Sequence, residues 1–195
     1  MNNQDFLAIK NRLPELRKKV VDSPHGRVPE SLDYLEKELR KATSKDDKAA
    51  LYPLLLSECS HARNEKLGLH FLRQQVKDLP DDPLSLTSLA TNLARDASTR
   101  NEALDLTSKA VALAEKQNRQ VKYSLTCQAR VALEARDYNV FNDALRALIA
   151  DAGNTRAEDH GFEFDFLDQV EHDKVDQRLI AQYRKLAERK PAARR

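Results

Sequence analysis

Apolar residues recur at helical spacing through most of this chain. In residues 80–96, PDDPLSLTSLATNLARD, the residues Leu86, Leu89, Ala90 and Leu93 fall at i, i+3, i+4 and i+7, the stripe of an amphipathic helix. Asp82 before Pro83 predicts the start of that helix. A carboxylate there accepts free backbone N–H groups, and proline fits the first position, where its missing N–H costs nothing. After the polar break ASTRN, the stretch EALDLTSKAVALAEKQ puts Ala103, Leu106, Ala110 and Leu113 on one face, with Leu104 and Val111 beside it. Thr99 and Glu102 have the spacing of a capping box. Two such helices joined by a short turn predict an αα-hairpin. A looser pair runs from about 119 to 150. Leu125, Ala129 and Ala132 line its first helix, and Phe141, Leu145 and Leu148 its second, with Gly153 placed to end it in a left-handed conformation.

The flanks follow another pattern. Phe6, Leu7, Leu13, Leu16 and Val20 predict a short helix, a boundary at Pro14 and a second helix starting there. SPHGRVPE reads as a loop. Leu32, Leu35 and Leu39 predict a helix over 31–42, and KAALYPLLLSEC predicts one from near Lys48, with Pro53 in its first turn or just after it. Phe166, Leu167, Val170, Val175, Leu179, Ile180, Tyr183 and Leu186 lie at helical spacing in the tail.

The segment 80–115 resembles a tetratricopeptide repeat, a 34-residue helix–turn–helix unit. Leu86 stands on the repeat's Trp position, Leu89 on its Leu, Ala90 on its small Gly and Leu93 on its Tyr. After a one-residue insertion, Ala103 and Ala110 stand on the two alanines of the second helix. Thr107 departs from the large aromatic position. Pro80 matches the closing proline of a preceding copy, in which Tyr52 takes the Trp position, Gly68 the first alanine and Leu72 the aromatic. ARDY, ending at Tyr138, resembles the turn of a third copy.

The resemblance implies an all-α fold: a solenoid of about three antiparallel helix hairpins with extra capping helices at both ends. The expected organisation is one compact domain with N-terminal capping helices over 1–48, repeats over 49–152, and a C-terminal helix and basic tail over 153–195.

Composition agrees with a helical reading. Only 4 of 195 residues are Gly and none is Trp, which argues against a turn-rich β-sandwich or a glycine-loop nucleotide fold. With 33 basic and 31 acidic residues, the net charge of +2 points neither to wholesale phosphate binding nor to disorder by self-repulsion. Cys59 and Cys127 read as small packing residues rather than a disulfide framework. No signal-peptide run and no apolar stretch of about 18 residues occurs, so the expected location is cytoplasmic, with no membrane partner.

Candidate chemistry is thin. Asp168 and His172 stand at i, i+4, and His160 could add a third metal ligand. A solvated acidic surface at a helix start explains the same residues, and no metal or cofactor is expected. No nucleotide-loop, hydrolase-elbow or zinc-protease motif occurs, and Cys59 and His61 point in different directions on a helix. The expectation is therefore not an enzyme.

Charge is uneven at the end of the chain. Residues 156–173 hold seven acids and one base, a net −6, and residues 174–195 hold eight bases and two acids, a net +6. The alternative reading this offers is a helical nucleic-acid-associated regulator using the basic C-terminal arm, although only Tyr183 is at hand for base stacking.

The leading expectation is a protein-binding adaptor or scaffold. The resemblance implies that the first helix of each pair lines a concave face. That face would consist of Ser57 and His61 from the first copy, Thr87, Thr91 and Arg95 from the second, and Tyr123, Thr126, Arg130 and Glu134 from the third. Such a mixed lining suits an extended partner segment with one or two acidic groups. The two-carboxylate clamp of co-chaperone members is not matched, because Pro53, Ser57, Ser88, Tyr123 and Cys127 occupy its Lys and Asn positions. Exposed ends of the stack leave room for a homodimer.

Overall fold

The computed structural model describes residues 1–154 and 174–187, which are mostly helical, with one β-hairpin and a 3₁₀ turn. The protein is all-α in class. It divides into two compact units, Met1–Asp81 and Asp82–Arg195.

The first unit begins with α1 (Asn3–Leu16), then β1 (Val20–Ser23), β2 (Gly26–Pro29), α2 (Glu30–Lys41), α3 (Lys45–His61) and α4 (Glu65–Asp78). Its helices pack in chain order, each on the next, and the hairpin lies on α2. Leu13, Leu32, Leu35, Tyr52, Leu55 and Phe71 form the centre of its core. Side-chain caps set the starts: Asn2 accepts from the Asp5 N–H, Ser44 from that of Asp47, and Asn64 from that of Leu67.

Three local expectations fail here. Pro14 does not divide the N-terminal segment but lies inside α1, in its last turn. Pro53 is not near a helix start, since Ser44 caps α3 and the proline falls in mid-helix. Both prolines face outward and are exposed. Each withholds one N–H from the helix ladder, and burial of the opposite face offsets that loss. SPHGRVPE is not a plain loop. Val20, Val21, Asp22 and Ser23 pair antiparallel with Pro29, Val28, Arg27 and Gly26. Ser23 Oγ closes the turn, donating to the Gly26 carbonyl at 2.9 Å and accepting from the His25 N–H at 3.1 Å.

Two glycines of this unit carry opposite predictions. Gly26 sits at φ +88°, where an L-residue is strained although nothing lies within 4 Å of an added Cβ. Gly68 lies inside α4, and an added Cβ would meet Cys59 Cβ at 3.6 Å, an ordinary contact. The helices therefore do not need a glycine there to approach each other. Gly26→Ala is expected to cost about 1 kcal/mol, and Gly68→Ala to add about 0.5–1 kcal/mol by raising helix propensity. Urea denaturation of the two variants checks both signs.

The second unit holds α5 (Pro83–Leu93), a 3₁₀ turn (Ala97–Thr99), α6 (Arg100–Gln117), α7 (Val121–Ala135), α8 (Tyr138–Asn154) and α9 (Gln177–Ala187). Asp82 caps α5 as expected, accepting from the Ser85 N–H, with Pro83 following. Thr99 precedes α6 but makes no capping bond. Its backbone is not extended, and its hydroxyl donates instead to the Leu93 carbonyl at 2.6 Å. Helix α8 is described as far as Asn154, which agrees with an end expected near Ala152-Gly153-Asn154.

Each of α5 to α8 packs on its successor, α7 also packs on α5, and α9 packs on α8. Small side chains permit this. Ala90, Ala103, Ala110, Ala129 and Ala132 are fully buried, and so is Thr107 at the position expected to hold a large aromatic. Of the tail positions, Val175, Ile180 and Tyr183 join a core with Leu125, Phe141, Leu145 and Leu148. Phe166, Leu167 and Val170 lie outside the described residues.

One turn occurs twice. Ala62-Arg63-Asn64 joins α3 to α4, and Ala135-Arg136-Asp137 joins α7 to α8. The arginines are left-handed, at φ 51° and 59°. In each turn the next N–H reaches back five residues, Asn64 to the Cys59 carbonyl at 3.0 Å and Asp137 to that of Ala132 at 2.9 Å. In each turn the Asn or Asp side chain then caps the following helix, accepting from Leu67 N and Val140 N.

Candidate interaction surface

The expected face divides between the two units. Ser57 and His61 belong to the first, on the outer side of α3, and both are exposed. The other seven residues belong to the second, on α5 and α7 or directly after α5.

Burial sorts these seven. Thr87 is fully buried, and its hydroxyl donates to the Pro83 and Leu84 carbonyls at 3.0 Å each. It cannot meet a partner, which corrects the expectation for that residue. Thr126 is nearly buried and donates to the Lys122 carbonyl. Thr91 is half-buried and donates to the Thr87 carbonyl at 2.8 Å, which leaves its methyl and the oxygen's lone pairs for contacts. Arg95, Tyr123 and Glu134 are exposed, and Arg130 is half-buried.

Sequence reasoning missed Leu84, which is 38% exposed in the first turn of α5. The signal was present. Leu84 precedes Thr91 and Arg95 by seven and eleven positions, as Tyr123 precedes Arg130 and Glu134. Leu84 and Tyr123 thus hold the same register in the two helices.

The other conspicuous polar cluster lies in the first unit. Glu58 of α3 is 2% exposed and accepts from Arg17 Nε at 2.9 Å, Arg17 Nη2 at 2.5 Å and Ser31 Oγ at 2.8 Å. Burial alone would raise its carboxyl. The bonds from Arg17 and Ser31, together with the charges of Arg17 and His61, outweigh burial and hold it below the usual carboxylate range. Asp78 is likewise held low against its own burial, by Tyr52, which donates at 2.6 Å, and by Lys48 at 2.9 Å. Burial and the neighbouring Glu58 push the Cys59 thiol up to about 12, so it is an inert packing residue.

A pocket of about 270 Å³ opens beside α1, lined by Asp5, Glu38, Lys41 and Leu51 among others. At the hairpin turn, the His25 ring packs at a tilt against that of His70 with centroids 5.2 Å apart, and its Nε2 lies 3.3 Å from Glu36. Among the described residues no group of three His, Cys, Asp or Glu side chains could hold a metal ion. His160, Asp168 and His172 lie outside them, as do residues 188–195 of the basic arm. No described helix is long and apolar enough to cross a membrane.

No family model, curated protein or solved structure matches this chain.

Proposed function

We propose that this chain is a non-catalytic interaction module that holds a partner protein or peptide against the inner face of tetratricopeptide-like helix pairs. The packing order of the second unit carries the reading. Each helix lies on the next and α7 lies on α5, as in stacked hairpins, and an exposed stripe of Leu84, Arg95, Tyr123 and Glu134 remains on α5, α7 and the residues after α5. The repeated Ala-Arg-Asn/Asp turn adds support, because a solenoid reuses its joints. The mechanism is rigid presentation. Side chains fixed on packed helices lower the ordering cost of binding a flexible segment.

Arg95→Glu combined with Arg130→Glu tests the face. The double variant is expected to capture less partner protein from extracts of the native host, at least tenfold less if both arginines meet carboxylates. Its helical circular dichroism and melting temperature should stay close to those of the parent. Capture at the parent's level rejects the face.

A further inference from the structure

We infer that the outer edge of β1 is a second docking site, which takes an extended segment of another protein as a third strand. That segment carries a Lys or Arg opposite Asp22 and an apolar residue opposite Val20. The site belongs to the first unit and does not depend on the face proposed for the second.

The register of the hairpin fixes which backbone groups point away from it. In an antiparallel pair, opposed residues that exchange both ladder bonds alternate with residues that exchange none. The Glu30 N–H donates to the Lys19 carbonyl at 2.9 Å, which continues the register that pairs Val20 with Pro29 and Val21 with Val28. Lys19, Val21 and Ser23 are therefore the bonded positions. The N–H and C=O of Val20 and Asp22 point outward and have no backbone partner among the described residues. On β2 the outward residues are Arg27 and Pro29. Proline has no N–H to offer and blunts that edge, whereas β1 carries no such guard.

The side chains name the occupant. Val20 is 56% exposed, and Asp22, two residues along, is exposed on the same face of the strand. The cations nearest in sequence are committed elsewhere, Lys18 to Glu15 at 2.9 Å and Lys19 to Glu30 at 3.7 Å. Arg27 lies opposite Asp22 on β2, yet no ion pair joins them. Asp22 thus keeps its charge for a residue on its other side, and opposite charges facing across strands attract. An antiparallel segment then reads cation, β-branched residue, apolar residue, set opposite Asp22, half-buried Val21 and Val20 in turn. A second copy of this chain does not supply that order. The register that bonds all the outward groups of two copies sets each Asp22 against Val20 of the other. Sliding it by two residues sets Asp22 against Asp22 or leaves only the Val20 pair bonded.

Titrating the end-blocked peptide Thr-Lys-Val-Val-Thr into the isotope-labelled full chain provides the test. Amide shifts are expected to centre on Val20 and Asp22, whose hydrogen exchange slows in the complex. Replacing the peptide's Lys by Glu should weaken binding about fivefold, and Asp22→Lys should invert that preference. Val20→Pro removes an edge donor and no ladder bond, so the hairpin stays paired while binding falls about tenfold. Should the proline disturb the hairpin, the Asp22→Lys inversion decides alone. No amide shift at millimolar peptide, shifts that miss β1, or an Asp22→Lys variant that keeps the parent's preference each overturn the inference. Loss of the peptide in Arg95→Glu with Arg130→Glu, but not in the β1 variants, overturns it as well and assigns the peptide to the α5–α7 face.

Discussion

Phe141→Ala is expected to remove about 3–5 kcal/mol of stability, the largest loss from any single substitution considered. The ring is fully buried in the core that Leu125, Leu145 and Leu148 share with Val175, Ile180 and Tyr183. The same core includes Ala129 and Ala132 of α7, whose methyl groups cannot extend into the space left behind. The cavity therefore stays open and adds its own term to the lost transfer energy. Phe141→Leu keeps most of the volume and should lose about 1 kcal/mol. Urea titration and hydrogen exchange across α7 and α8 measure both. A loss under 1 kcal/mol for the alanine variant would mean the helices close over the gap.

Arg17→Ala should cost about 3 kcal/mol at neutral pH, the low end for breaking a buried pair, because Arg17 itself is partly in water. The loss comes less from the missing attraction than from Glu58, left buried with Ser31 as its remaining donor among the three contacts that hold it. The effect depends on pH in a defined direction. In the parent, Glu58 titrates below its unfolded value of about 4.3, so its stabilisation is complete above that pH and is lost as pH falls through the folded value. In Arg17→Ala, burial acts unopposed and the folded carboxyl takes up its proton at higher pH, which relieves the penalty. The stability difference between the two proteins should shrink as the pH is lowered through 4. A difference that stays constant from pH 7 to pH 3 would assign the loss to packing by the arginine's methylene groups.

Helix positions were legible where the apolar stripe was regular. The Asp82–Pro83 start and the buried faces of α5 and α7 follow directly from spacing and capping. The misreadings have separate causes. Pro53 suggested a nearby helix start because the helix ladder loses a bond at proline, yet the buried face of Leu51, Tyr52, Leu55 and Cys59 keeps α3 continuous through it. The hairpin was hidden because its strands are four residues long and mostly exposed, although Val20-Val21 and Val28 flank a Pro-His-Gly turn. Thr99 had the right spacing and the wrong backbone. Glu58 could have been found, since it stands three residues after Leu55 on an apolar face, where a carboxylate needs a cation. Its partner Arg17 lies 41 positions away, and no local pattern names it.

Of the candidate face, the residues expected on α5 and α7 do lie on those helices or directly after α5. Which of them are reachable was not legible, because helical spacing alone does not separate Thr87, fully buried, from Thr91, half-buried.

The alanines between α5, α6 and α7 restrict how this protein can diverge. With Ala90, Ala103, Ala110, Ala129 and Ala132 already shielded from solvent, a larger side chain at any of them must displace its neighbours. Serine or glycine can replace them; a valine or leucine would force the helices apart along their whole length. Descendant sequences should therefore vary in their outward side chains and keep their methyls, so that kinship in this segment is recorded in its smallest residues.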